Sequence, residues 1–137
     1  MKFNSQSWAD AYKESLNNNP NYEKSAKDWE GALILQFISE GKKLTEDARL
    51  WLDLWHGKCR DARFVESDDE MEHEYKISAK ESVWIDLIND AIDPTQAMML
   101  GKFKISGNTS KIMRYPRAAA YIIKYLKRLL SEWKDDV

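Results

Sequence analysis

Residues 93–108 constrain the fold more than any other part of the chain. Asp93 is a favoured helix N-cap residue, and Pro94 has the fixed φ that suits the first position of a helix. Gly101 ends that short helix, a brief apolar strand follows, and Gly107 allows a turn into another helix. The segment contains no group suited to catalysis. The caps and glycines therefore predict a mixture of helix and strand. The lack of catalytic groups favours the binding of an apolar ligand over an enzymatic function.

The part of the chain before this segment shows a helix followed by strands. Apolar residues recur at helical spacing over residues 8–16. Residues 29–38 form a nearly continuous apolar run, which is typical of a strand covered on both faces. Residues 49–55 and 59–65 then predict a β-hairpin around His56-Gly57, because glycine tolerates the positive φ of a two-residue turn.

The remaining elements complete the predicted architecture. A fourth strand is predicted over residues 74–79, a fifth over 102–106, and a long terminal helix from Ala118 to Trp133. This order predicts an α+β fold with a five-stranded, mostly antiparallel sheet covered by helices. The 137 residues are predicted to form a single domain, in which residues 1–28 are a helical extension and residues 29–130 are the core.

Composition indicates a soluble protein of the cytoplasm. The single cysteine, Cys59, excludes an internal disulfide framework and fits a reducing compartment. The first residues lead directly into an amphipathic pattern, without the apolar stretch of a signal peptide. The longest apolar run, residues 32–35, is far too short to span a membrane. We therefore expect a cytoplasmic location.

Charge is distributed unevenly along the chain. Residues 1–100 hold 12 Lys and Arg against 20 Asp and Glu, whereas residues 101–137 hold 9 against 3. The basic part favours transient contact with an anionic membrane, or else it consists of solvated helix faces. The acidic remainder argues against nucleic acid as a partner. Four basic residues are predicted to contact a lipid headgroup or a membrane: Lys102, Lys104, Arg114 and Arg117.

Apolar side chains from separate elements converge in the predicted fold. They fill a packed core or line an apolar ligand site, and their pattern is compatible with both. These nine residues are Trp84, Leu87, Ile88, Met98, Phe103, Ile105, Met113, Ile122 and Leu126.

Several of these segments resemble the sterol carrier protein type 2 family, also called the SCP-2 sterol transfer domain. The closest match runs from Ala97 to Asn108, and it is preceded by similar segments at 53–58, 77–79 and 84–87. The resemblance covers roughly residues 29–130. It implies a five-stranded sheet packed with helices around an apolar tunnel that accepts fatty acyl chains, acyl-CoA, sterols or other lipids. It also implies that the protein has no catalytic residue and needs no cofactor.

Groups that could carry chemistry are few. Cys59 would need a base, and His56 lies across a tight turn without an orienting carboxylate at recognisable spacing. His73 is flanked by Glu72 and Glu74, but neighbours in an extended segment point to opposite faces. The sequence therefore predicts no catalytic residue and no metal site.

Together these observations predict a lipid-binding or lipid-transfer protein that sequesters a fatty acid, an acyl-CoA or an isoprenoid in a hydrophobic tunnel. Sterol is the less expected ligand, because the aromatic N-terminal extension would narrow or cap the tunnel. The alternative is a non-catalytic interaction or dimerisation module with a filled core on the same fold. In that case Trp51, Trp55 and Trp133 would be exposed aromatic anchors of a homodimer.

Overall fold

The computed structural model describes residues 2–130 and residue 133. The helices are α1 (Gln6–Asn17), α2 (Pro20–Ser25), α3 (Glu81–Ile88), α4 (Pro94–Met99), α5 (Thr109–Ile112), α6 (Pro116–Lys124) and α7 (Leu126–Leu129). The strands are β1 (Glu30–Ile38), β2 (Ala48–Trp55), β3 (Lys58–Val65), β4 (Tyr75–Lys80) and β5 (Lys104–Gly107).

The five strands form one sheet in the order β3-β2-β1-β4-β5. β1 runs antiparallel to β2 and parallel to β4, and the other neighbouring pairs are antiparallel. The parallel pair arises because the connection over residues 66–74 carries the chain from β3 past β2 and β1 before β4 begins. The predicted α+β class with a mostly antiparallel five-stranded sheet is confirmed.

The main core lies between one face of the sheet and the helices. Alternate residues of the central strand, Leu33, Leu35 and Phe37, point into it, as the period of two in a strand requires. Trp8 and Tyr12 of α1 are fully buried in the same core. Residues 1–28, predicted as an extension, therefore contribute side chains to the core that residues 29–130 build.

The other face of the sheet carries a smaller apolar cluster. Ile34, Trp51 and Val65 form it, and Met71 of the acidic connection packs against them. The indole nitrogen of Trp51 donates to the carbonyl of Glu72 at 2.9 Å, which fixes this connection to the sheet. The long run of acidic residues thus covers the outer face.

The predicted terminal helix is interrupted. α6 ends at Lys124, Tyr125 has ψ −8°, and α7 continues the chain from Leu126. The offset at Tyr125 keeps Leu126 and Leu130 buried, at about 1% exposed each. A single uninterrupted helix from Ala118 to Trp133 is therefore wrong, and its residues 131 and 132 lie outside the described residues.

No helix in the described part of the chain combines the length and the apolar character needed to cross a membrane.

Residues 93–108 form the helix, break, strand and turn that their sequence predicts. The Asp93 carboxylate accepts a hydrogen bond from the Gln96 N–H at 2.7 Å, as an N-cap does. Gly107 pairs with Tyr75, and a Cβ at this glycine would lie 2.0 Å from the Glu74 carbonyl oxygen. Only glycine therefore allows β5 to reach β4 at this point.

Candidate functional site

A small apolar cavity lies between the inner face of the sheet and the helices. Its volume is about 10 Å³, which is room for about one water molecule, and its wall is apolar. Strands β1, β2 and β4 form one side, and helices α2, α5 and α6 form the other. The lining residues are Tyr22, Trp29, Leu33, Leu54, Ile77, Ile112, Tyr115, Ala118, Ala119 and Ile122.

α6 separates this cavity from a groove on the outside of the protein. Ala118, Ala119 and Ile122 face the cavity, whereas Arg117, Tyr121 and neighbouring residues of α6 face the groove. The groove has a volume of about 780 Å³ and runs between α6 and the segment that joins α3 to α4. One helix therefore stands between a nearly filled interior space and a large open one.

A buried polar group lies beside the cavity. Tyr75 is fully buried, and its ring packs against that of Trp29, with 4.8 Å between ring centroids. Its hydroxyl has no hydrogen-bond partner of normal geometry among the described residues. Burial, and then the neighbouring Glu74 carboxylate, raise the pKa of Tyr75 to about 12. The phenol therefore stays protonated, with the Glu74 carboxylate close enough to act on it, and its ring lies behind Trp29 of the cavity wall.

Two cations approach the same corner. The Lys111 ammonium lies 5.4 Å from the ring centroid of Trp29 and 5.8 Å from that of Tyr75. It donates to the Glu30 carbonyl oxygen at 2.8 Å. The positive charge of Arg114 opposes the rise in the pKa of Tyr75, so its guanidinium lies within electrostatic reach. Aromatic rings, one buried hydroxyl, the Glu74 carboxylate and two cations thus meet where β4 begins.

Two fully buried tyrosines give a matched prediction about stability. The Tyr12 hydroxyl donates to the Ile122 carbonyl oxygen at 2.5 Å, whereas the Tyr75 hydroxyl donates to nothing in the described chain. Tyr12→Phe should lower the free energy of unfolding by about 1 kcal/mol, and Tyr75→Phe should leave it unchanged or raise it slightly. Urea denaturation of the two variants measures the difference. An equal loss for both would contradict the assigned hydrogen bonding.

The nine predicted lining residues separate into groups. Ile122 lines the cavity, and Leu87 lines the outer groove. Six others pack in or against the main core and are not part of the cavity wall. They are Trp84, Ile88, Met98, Phe103, Ile105 and Leu126. Met113 is 61% exposed, because α5 ends at Ile112 and it is Ile112 that turns inward. The placement of Met113 on a converging apolar face is therefore wrong.

The predicted headgroup residues are all at the surface. Lys102, Lys104, Arg114 and Arg117 are exposed. Arg114 is the one whose charge acts on Tyr75, and Arg117 lines the outer groove. Whether any of them contacts a headgroup stays a prediction.

Most of the cavity wall was missed from sequence. Ala118 and Ala119 are small, and small residues carry little hydrophobic signal, yet they let α6 lie close to the sheet. Tyr75 had a usable signal, because it alternates with Ile77 and Ala79 on the buried face of β4. Trp29 and Tyr115 belong to connections, where no period predicts the direction of a side chain.

The other groups that could carry chemistry are Cys59, His56 and any cluster of metal-binding side chains. Cys59 is buried, and burial raises the pKa of its thiol to about 12, so it carries almost no thiolate at neutral pH. His56 pairs with Glu30 at 2.6 Å at the surface. Among the described residues no group of three or more His, Cys, Asp or Glu side chains is placed to hold a metal ion.

The predicted dimer anchors are mostly inside the protein. Trp51 is 7% exposed and Trp133 is 5% exposed, which contradicts their prediction as exposed anchors. Trp51 lies beneath the acidic connection, and Trp133 packs against Phe3 and Phe37. Trp55 is 40% exposed, and the Arg60 guanidinium lies 4.7 Å from its ring centroid.

Comparison with known proteins gives a consistent result. The model of the SCP-2 sterol transfer family matches residues 10–119. A crystal structure of sterol carrier protein 2 is 31% identical in sequence, with a TM-score of 0.78 over 92% of this chain and 98% of that one. No curated protein sequence matches significantly.

Two further structures share the fold. The solution structure of a conserved hypothetical protein from Thermus thermophilus, described as possibly a sterol carrier protein, is 31% identical, with a TM-score of 0.76 over 94% of this chain and 90% of that one. The solution structure of palmitated SCP2L2 from Aedes aegypti is 12% identical, with a TM-score of 0.55 over 80% and 88% of the two chains. At that identity the likeness concerns the fold alone.

Proposed function

The chain belongs to the SCP-2 sterol transfer family, and from that premise we propose that it sequesters a single apolar lipid between its sheet and its helices. The observation that supports this proposal is the apolar cavity between sheet and helices, with the buried Tyr75 packed against Trp29 of its wall. Desolvation drives the binding, since each CH₂ removed from water contributes about 0.8 kcal/mol. A chain of about sixteen carbons then gains on the order of 10 kcal/mol before the costs of binding are subtracted.

A lipid chain needs far more space than the cavity provides, so binding must open the protein. α6 is the element that has to move, because it separates the cavity from the outer groove. Displacing α6 joins a space of about 10 Å³ to one of about 780 Å³. The lipid chain then occupies the space between α6 and the sheet.

The corner at Tyr75 is the place for the polar end of the lipid. A fatty acid carboxylate there accepts from the Tyr75 hydroxyl, and the positive charges of Arg114 and Lys111 offset its repulsion by the Glu74 carboxylate. Both cations are near the surface, so the headgroup stays partly hydrated while the chain is buried. A fatty acid or acyl-CoA fits this corner better than sterol, which has one hydroxyl and a rigid ring system.

The chain carries this function without catalysis. The residues that line the cavity are apolar, and the one cysteine is held as a thiol by burial. We therefore propose binding and release of an unchanged lipid, with no cofactor, in the cytoplasm.

Lipid binding should stabilise the protein measurably. At a palmitate concentration of about one hundred times its Kd, the free energy of unfolding should rise by about 2.7 kcal/mol, because the lipid binds only the folded state. Differential scanning calorimetry of the delipidated protein measures this, and native mass spectrometry should show one lipid per chain. Butyrate is the matched control, since it has the same carboxylate and almost no apolar chain.

A panel of palmitate, palmitoyl-CoA, an isoprenoid alcohol and cholesterol identifies the ligand class. Palmitate is the first probe because the mosquito protein of the same fold is described as palmitated. No stabilisation and no bound mass with any member of the panel would rule out the proposed function.

The small volume of the cavity favours a second function, an interaction module with a filled core. The burial of Trp51 and Trp133 weakens this alternative, since it leaves Trp55 as the one exposed anchor of the three. Sedimentation velocity distinguishes the two functions. A stable dimer that binds none of the four lipids would support the module, whereas a monomer that binds palmitate would support lipid sequestration.

A further inference from the structure

The edge of the sheet at β5 exposes much apolar surface. Met99 is 82% exposed, Leu100 62% and Met113 61%, more than any other large apolar side chain in the described part of the chain. Met99 and Leu100 end α4, and Met113 follows α5, so these residues come shortly before and shortly after the edge strand β5 in the chain. We call residues 99–117 the β5 edge.

The β5 edge is also strongly basic. Residues 101–130 contain eight Lys and Arg and neither Asp nor Glu. Lys102, Lys104 and Arg114 are exposed, and none of the three forms an ion pair with another described residue. Exposed apolar side chains between free cations are the combination that binds proteins to the interface of an anionic membrane.

We propose that the β5 edge docks on an anionic lipid surface. Met99, Leu100 and Met113 enter the interface, and the neighbouring cations contact lipid phosphates and carboxylates. The apolar side chains stand at two separate helix ends among cations, which suits an anionic bilayer, where apolar groups and phosphates lie at adjacent depths. The acidic connection over residues 66–74 packs against Trp51 on the outer face of the sheet, and its repulsion from the membrane helps to orient the protein.

The same segment of chain forms part of the cavity wall. Ile112 and Tyr115 line the cavity, while Met113 and Arg114 between them face outward. A membrane bound to Met113 therefore contacts the outer side of the same segment whose Ile112 and Tyr115 close the cavity. This second step rests on the proposed function: a lipid leaves the bilayer and enters past α5, which is a single turn of four residues.

Vesicle co-sedimentation tests the docking surface. Wild-type protein should bind vesicles of three parts phosphatidylcholine to one part phosphatidylglycerol at low salt, and much less to phosphatidylcholine alone. Lys102→Glu with Lys104→Glu should lower the partition coefficient by about 25-fold, because each basic contact contributes about fivefold. Lys24→Glu with Lys27→Glu is the matched control, since both lysines are exposed on or next to α2 and the change in net charge is the same. That control pair should lose less than about threefold through long-range charge alone.

A second set of variants tests the apolar contacts. Met99→Ser with Leu100→Ser and Met113→Ser should weaken binding about tenfold on the anionic vesicles. Trp55→Ser is the control for loss of an exposed apolar side chain outside the β5 edge, and it should have no effect. Met99, Leu100 and Met113 are each more than 60% exposed, so circular dichroism should show unchanged folding of the triple variant.

Three results overturn the proposal. They are no binding of wild-type protein to anionic vesicles, equal losses from the two lysine pairs, and a Met99, Leu100 and Met113 variant that abolishes self-association without changing vesicle binding. Failure of the proposed function is measured separately, by palmitate uptake from an aqueous stock without vesicles. Met99→Ser with Leu100→Ser should leave that uptake unchanged and should slow palmitate transfer from anionic vesicles.

Discussion

Replacing Glu81 by alanine is expected to lower the free energy of unfolding by about 3 kcal/mol, which is a large part of the stability of a domain this size. The Glu81 carboxylate is fully buried. It accepts four backbone hydrogen bonds at 2.6 to 2.9 Å, from the N–H groups of Glu40, Lys42, Lys43 and Leu44. Without it, these donors lose their acceptor and the loop after β1 loses its attachment to α3.

The pH dependence of this effect has a definite sign. Burial of the Glu81 carboxyl would by itself raise its pKa, but the four N–H donors outweigh burial and hold the pKa below its usual 4.5. A carboxyl with a lowered pKa in the folded state stabilises the protein above the pKa of the unfolded chain, and this contribution is lost as the pH falls through the folded pKa. The difference in free energy of unfolding between wild type and Glu81→Gln should therefore be largest near neutral pH and should become smaller in acid.

Glu40 is the matched control for the Glu81 variants. Its carboxylate accepts from the Ser82 N–H at 2.9 Å, so the two glutamates hold the same loop and helix from opposite directions. The Glu40 carboxylate is exposed, so water can replace its role and Glu40→Gln should change stability little. Chemical denaturation at several pH values measures both variants. Hydrogen exchange should become faster at residues 40–44 in Glu81→Ala. Unchanged exchange there would contradict the proposal that the Glu81 carboxylate holds this loop.

The features that sequence predicted are those set by neighbouring residues. The start of α4 follows from Asp93 and Pro94, since a cap and a fixed φ act within one helical turn. The turn of the β2–β3 hairpin follows from His56-Gly57, where both residues have positive φ. The buried character of β1 follows from its continuous apolar run. Each of these signals is complete within about ten residues of chain.

The features that sequence did not predict depend on residues far apart in the chain. From sequence, Glu81 looks like any acidic residue in the first turn of a helix. Its role as acceptor for the loop exists only because residues 40–44 fold onto it. Whether the Tyr75 hydroxyl finds a hydrogen-bond partner depends on residues that surround it in the fold, and the sequence next to Tyr75 does not indicate it. The same holds for the cavity, whose wall depends on which face of α6 meets the sheet.

Residues 93–108 illustrate the limit most directly. Their secondary structure was predicted well, but their place relative to the cavity was not. Phe103 packs on Trp84, with 5.3 Å between ring centroids, and Met99 faces solvent. The segment therefore builds the edge of the sheet, while the cavity lies farther in, beneath α6. A pattern that fixes local structure does not fix which side of an element meets the ligand.

Filling the cavity should abolish most lipid binding. Ala119→Leu adds three carbons to the face of α6 that meets the cavity, where only about 10 Å³ is free. We expect the affinity for palmitate to fall at least tenfold, because the larger side chain occupies the path that the lipid chain takes between α6 and the sheet. Overpacking should also cost about 1–3 kcal/mol of stability. Isothermal titration calorimetry with the delipidated variant measures the loss of affinity.

Ala62→Leu separates loss of the lipid path from overpacking in general. Ala62 is buried like Ala119 and belongs to the main core, but it lies on β3 and outside the cavity wall. The enlargement is identical, so a similar loss of stability is expected. Its affinity for palmitate should stay within about threefold of wild type, because a strained core away from the lipid path removes no contact with the lipid. Equal losses of affinity in the two variants would mean that binding follows overall stability, and the lipid would then have to lie elsewhere than beneath α6.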